Sequence, residues 1–167
     1  MLQDLFNKSR KVPFSDFVTY ALYSENGYYR KGSHVEKNGD FLTSPLVSRA
    51  YGETLASFFL TKVIHDRSDK ISLVELGPND GRLMSSVVDY IKKSAPNIYQ
   101  KLEIILVEQN INIHKNIANL LSNHKEKLSI CATITDIEKK NNETFLFCNE
   151  FFDALTFERC VLKENIL

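Results

Sequence analysis

Four short stretches of this sequence put carboxylates, amides or hydroxyls where chemistry can be done. The first, residues 73–81, reads Leu-Val-Glu-Leu-Gly-Pro-Asn-Asp-Gly, with Glu75 two residues before Gly77 and Gly81 four residues after it. Glycine lets a backbone approach a bound molecule closely. The second is Glu108, at the end of an apolar run, where an acid can accept hydrogen bonds from both hydroxyls of a ribose. Asp136, further along, is suited to an adenine amino group. The third stretch, 149–155, reads Asn-Glu-Phe-Phe-Asp-Ala-Leu and sets Glu150 and Asp153 beside the amide of Asn149 and two aromatics. Paired carboxylates suit a cationic substrate, because they can hold a guanidinium in bidentate fashion. The fourth, 39–45, reads Gly-Asp-Phe-Leu-Thr-Ser-Pro. Ser44 as N-cap and Pro45 at the first helical position start a helix, which leaves Asp40 and Thr43 without a capping role. Each stretch also has a plain structural counterpart: a tight turn without ligand, a solvated strand-end acid, a turn residue, a cap with a hydrophobic staple.

The elements that must position these residues follow from periodicity. Residues 14–24 form a short amphipathic helix, and residues 28–43 an irregular stretch long enough to suggest a functional loop. A helix follows from Ser44 to about residue 65, burying Leu55, Phe58, Phe59 and Ile64. Beyond it, apolar strands at 71–76, 103–108, 128–132 and 144–149 alternate with helices at 83–93 and 111–121; 97–101 is an insertion and 157–162 is extended. Strands alternating with helices imply an α/β fold built on a parallel sheet. Glu75, Glu108 and the 149–155 stretch then share one sheet edge, the carboxyl ends of strands, where ligands of such folds bind.

The turn at Gly77 does not make the dinucleotide fingerprint GxGxxG, which needs glycines where Asn79 and Arg82 stand. A nicotinamide-dependent oxidoreductase is therefore disfavoured. The form acid-x-GxGxG, associated with methyltransferases, fits with Glu75, Gly77 and Gly81, and Asn79 takes the middle glycine. Asn is among the few residues that tolerate left-handed backbone.

Composition narrows the classes further. The chain has 167 residues, about one domain, and 21 basic against 21 acidic residues, so it has no global basic field for nucleic acid or anionic membrane. Cys131, Cys148 and Cys160 form no framework, and the two within apolar runs, Cys131 and Cys148, read as buried small side chains. The histidines show no ligand spacing, so no metal is expected. No run approaches a membrane span. The first residues, MLQDLFNKSRKVPF, have neither the apolar core of a secretion signal nor the acid-poor character of a transit peptide, so a cytoplasmic protein is expected.

In order, the stretches GYY, GDFLTSP, YGE, VELGPNDGRLM, LVE and NEFFDAL resemble the MidA family over residues 27–155. Asn79 replaces a family glycine, and Thr156 replaces a family proline. MidA proteins are S-adenosylmethionine-dependent methyltransferases, among them the mitochondrial assembly factor that methylates an arginine of a respiratory complex I subunit. The resemblance implies a Rossmann-like class I methyltransferase fold, here cut short after the fourth strand, with a helical extension over 1–66 and a partial cofactor domain over 67–167. It implies that Gly77 and Gly81 meet the methionine part of S-adenosyl-L-methionine, that Glu75 shapes the turn, and that Glu108 holds the ribose. Asp40, Thr43 and Ser44 would border the cofactor, and Asn149, Glu150 and Asp153 would stand beside the reacting methyl group. The partner would be a protein substrate, by analogy a respiratory complex subunit. The alternative is a non-catalytic relative acting as a binding or assembly module. An uncovered fourth strand would favour self-association through the sheet edge.

Overall fold

A computed structural model describes residues 11–30, 48–63, 68–138 and 142–162. Its contacts group residues 33–149 into one compact unit and residues 1–32 with 150–167 into another. This grouping differs from a division at residue 66, because the helix before the sheet belongs to the sheet's own core.

In the larger unit, α2 (Arg49–Val63) precedes β1 (Ile71–Leu76), followed by α3 (Arg82–Ser94), α4 (Pro96–Lys101), β2 (Leu102–Val107), α5 (His114–Leu120), β3 (Leu128–Cys131) and β4 (Glu143–Cys148). The strands form one parallel sheet in the order β3-β2-β1-β4. β1 is central and buried from Ile71 through Glu75, and such strands read as continuous apolar runs. Its register sets Glu75 opposite Leu106 of β2 and Phe147 of β4. The strand order reverses at β1, so the crevice between the carboxyl ends of β1 and β4 is the topological switch point.

One face of the sheet carries the core. Leu73, Ile104, Leu106 and Phe147 pack with Leu83, Met84, Val87 and Ile91 of α3 and with Ala56 and Phe59 of α2. Phe59 is fully buried, its ring 5.2 Å from that of Phe145, and such burial contributes on the order of 2–3 kcal/mol. The buried stripe of α2 is Gly52, Ala56, Phe59 and Val63. Phe58, expected inside, is exposed because it lies off that stripe; Leu55 is half-buried, and Ile64 lies outside the described residues. The expected insertion at 97–101 is the short helix α4, started by Pro96 and burying Ile98 and Tyr99. The expected helix over 111–121 is a 3-10 turn, Ile111–Ile113, followed by α5. Cys131 and Cys148, expected to be buried, are half-buried at the ends of β3 and β4.

The smaller unit holds α1 (Phe14–Tyr23) against the last described segment. The rings of Phe14 and Phe157 lie 5.3 Å apart, the Arg159 guanidinium stacks 5.5 Å from Phe14, and the Tyr23 hydroxyl donates to the Ala154 carbonyl. Residues 157–162, expected to be extended, join no ladder among the described residues, and Phe157 and Arg159 pack on Phe14 of α1.

Candidate cofactor site

The turn after β1 is built on left-handed backbone. Gly77, Asn79 and Gly81 have φ of 64°, 50° and 81°. The Gly77 N–H extends the ladder to the Val107 carbonyl at 2.9 Å, which seats the turn over the end of β2. Gly81 leads into α3, and a Cβ placed there would lie 3.0 Å from Cγ2 of Ile117, so α5 closes the turn from beneath. Asp80 ties the helix start with its own side chain: Oδ1 accepts the Arg82 N–H at 3.0 Å, and Oδ2 meets Arg82 Nε at 2.9 Å.

Two carboxylates hold this turn. Glu75 is 2% exposed and accepts the Met84 N–H in the first turn of α3. Burial, with smaller additions from Asp80 and Glu108, pushes its carboxyl up to about 8, against the pull of the Met84 hydrogen bond. Its Oε2 has no hydrogen-bond partner among the described residues. Glu108 follows β2, and its N–H donates to the Cys131 carbonyl at 2.9 Å. The Glu108 side chain accepts the N–H of Asn110 at 2.8 Å and also that of Asn79. Burial raises its carboxyl above the usual range, against those two donors and the nearby His114. His114 Nε2 bonds the Glu108 carbonyl at 2.6 Å, which fixes the backbone on the other side. The sheet thus joins Glu75, Gly77, Gly81 and Glu108 at one edge, with Asn79 linking the two carboxylates' loops.

The remaining expected residues fall as follows. Asp136 is exposed after β3 and closes a capping box on Thr133, whose N–H it accepts at 2.9 Å. Asn149 follows β4, one residue past the Leu76–Cys148 pair, and accepts the Tyr51 hydroxyl at 3.0 Å. Glu150, with φ of 51°, and Asp153 belong to the smaller unit, where Asp153 adds to the burial that raises the Tyr29 hydroxyl. Asp40, Thr43 and Ser44 lie outside the described residues. Tyr51 was missed as a site residue; its only sequence signal is its place in YGE. Among the described residues, no cluster of His, Cys, Asp and Glu could hold a metal ion.

These features fit an adenosyl cofactor. The turn presents backbone at three left-handed positions, and a buried carboxyl oxygen stands unpartnered beneath it. A net-positive ligand would also offset the three crowded acids Glu75, Asp80 and Glu108.

Solved structures share the architecture. A crystal structure from Burkholderia thailandensis bound to S-adenosyl-homocysteine matches with a TM-score of 0.69 at 20% identity, covering 87% of this chain and 38% of that one. A native structure of an uncharacterized protein from the same organism matches at 0.64 and 21% identity, covering 87% and 36%. The fold is thus the Rossmann-like fold of methyltransferases. Residues 54–167 match the family described as "Putative S-adenosyl-L-methionine-dependent methyltransferase", and the chain belongs to that family, the MidA group its motifs resemble. Among curated relatives, the mitochondrial protein arginine methyltransferase NDUFAF7 of Danio rerio is 34% identical over 53% of this chain and 19% of its own length. The Bos taurus protein is 29% identical over 68% and 23%, and the Xenopus laevis protein 27% over 80% and 35%. The chain therefore spans about a fifth to a third of the length of these relatives. Their names also overturn the cytoplasmic expectation: the relatives are mitochondrial proteins, and an argument from the first fourteen residues does not carry a location.

Proposed function

We propose that this chain binds S-adenosyl-L-methionine at the carboxyl ends of β1 and β2 and serves methyl transfer to an arginine of a protein. The observation that carries the reading is the turn Gly77–Asn79–Gly81, left-handed at all three positions and held between the buried carboxyl of Glu75 and the half-buried one of Glu108. The arginine acceptor is supported by the names of the relatives.

The cofactor, when bound, supplies a methyl group on a positively charged sulfur. The chain's own residues bind, orient and balance charge. Gly77 and Gly81 offer backbone to the methionine part, Glu108 accepts from the ribose, and Asp136 from the adenine amino group. Glu150 and Asp153 are suited to hold a guanidinium and to take the proton released as its nitrogen is methylated. Catalysis of this kind rests on proximity and on carboxylates that offset two positive charges.

Titration calorimetry with S-adenosyl-L-methionine tests the reading on the wild type and on Glu108→Ala. Saturable binding that falls at least tenfold in the variant is the expected result. A folded wild-type chain that binds none overturns it.

A second reading, a binding or assembly module, is favoured by β4. Its outer edge pairs with no strand among the described residues, and Leu146 there is 47% exposed. Cofactor binding without transfer to any protein, together with dimers in sedimentation, would favour this module.

A further inference from the structure

α2 approaches α3 so closely that a Cβ on buried Gly52 would lie 2.6 Å from Cβ of Ser86 and 3.3 Å from the Leu83 carbonyl. Three residues earlier, Arg49 bonds Asp89 of α3 at 2.7 Å. These two contacts bracket Tyr51. They fix the first turn of α2 on the helix that starts from the glycine turn. Tyr51 itself is 41% exposed, so its ring is not committed to the core. Its hydroxyl donates to Oδ1 of Asn149 at 3.0 Å, across 98 residues of sequence.

The consequence lies in the other end of the Asn149 amide. A carboxamide offers one accepting end and one donating end, and the Tyr51 hydroxyl donates to the accepting one. With Oδ1 committed to Tyr51, the NH2 is the free end, and it makes no hydrogen bond among the described residues. Asn149 stands just past the Leu76–Cys148 pair, as Gly77 does on β1. Both therefore flank the switch-point crevice. We propose that Tyr51 is a positioning residue, which holds Asn149 by its oxygen so that the amide NH2 is preset as a donor to an oxygen of the ligand in that crevice. The inference rests on the cofactor reading above. It gives YGE a role: Gly52 brings the helix close, and Tyr51 uses that closeness.

The test is a nitrogen-15 spectrum of the 167-residue chain, following the Asn149 side-chain NH2, assigned by its loss in Asn149→Asp. Tyr51→Phe removes one hydroxyl from a partly exposed ring and leaves the core intact. The expected result is that Tyr51→Phe shifts the Asn149 NH2 signals in the free protein. It should also cut their response to saturating S-adenosyl-L-methionine to less than half, with the cofactor's Kd within threefold of the wild type. A merely structural tyrosine would not separate that response from affinity. Unshifted signals in the free variant, or equal responses in both proteins, overturn this inference alone. A wild type that binds no cofactor overturns the function reading and this inference with it.

Discussion

The side chain of Glu108, at the end of β2, accepts the backbone N–H of Asn79 in the turn after β1. One carboxylate thereby spans two adjacent strands and holds the least usual residue of the turn, a non-glycine at φ of 50°. Asn populates this region at small cost, whereas a β-branched residue does so rarely.

That geometry separates two substitutions. Asn79→Gly keeps the backbone and its N–H, so S-adenosyl-L-methionine affinity within threefold of the wild type is expected. Asn79→Val forces a β-branched residue into left-handed backbone, which costs about 1–2 kcal/mol and should weaken binding roughly tenfold. Calorimetry on both variants checks the pair, and equal affinity for Val and Gly would count against the turn as the binding element.

The buried Glu75 makes stability depend on pH with a definite sign. Its carboxyl is raised from 4.5 to about 8, so the folded state keeps a proton that the unfolded state releases. The contribution is complete below about pH 4.5 and is lost as the pH rises through about 8. At about 1.4 kcal/mol per unit, a few kcal/mol are at stake. Glu75→Gln retains an acceptor for the Met84 N–H and has no proton to lose. Between about pH 5 and 8.5 the melting temperature of the wild type should fall relative to that of the variant. Parallel curves would show that Glu75 is not buried as described.

His124 ties three elements together. It is 3% exposed, bonds the Tyr99 hydroxyl through Nδ1 at 2.8 Å and Asp89 through Nε2 at 3.0 Å, and Asp89 in turn meets Arg49. His124→Leu strands a buried hydroxyl and a half-buried carboxylate, which should cost about 2–4 kcal/mol. The expected drop in melting temperature is roughly 5–12 °C. Arg49→Ala removes only the exposed arm and should cost less than about 1 kcal/mol. A His124→Leu melt as mild as that of Arg49→Ala would refute the link.

Much of the fold was legible because buried parallel strands must be apolar along their whole length. Ile71–Leu76 and Leu102–Val107 stand out for that reason, as does the helix pattern of Leu83, Met84, Val87, Val88 and Ile91. Where burial is partial the signal fails. Phe58 and Leu146 are as apolar as Phe59 and Ile104, yet they are exposed, because helix phase and position at a sheet edge decide their surroundings. α4 was missed because six residues are too short to show a period.

By itself, then, the sequence determined the alternation of strands and helices, the acid-glycine turn after β1 and the family those motifs resemble. These are properties of single segments, dictated by local periodicity and by backbone tolerance at Gly77, Asn79 and Gly81. Only the tertiary structure decided that β4 lies beside β1, that Glu108 reaches Asn79, that Glu75 keeps an oxygen unpartnered beneath the turn, and that Tyr51 meets Asn149. Each of these joins residues distant in sequence, and no local preference encodes such a meeting. It follows from the parallel register and from the close packing of α2 on α3.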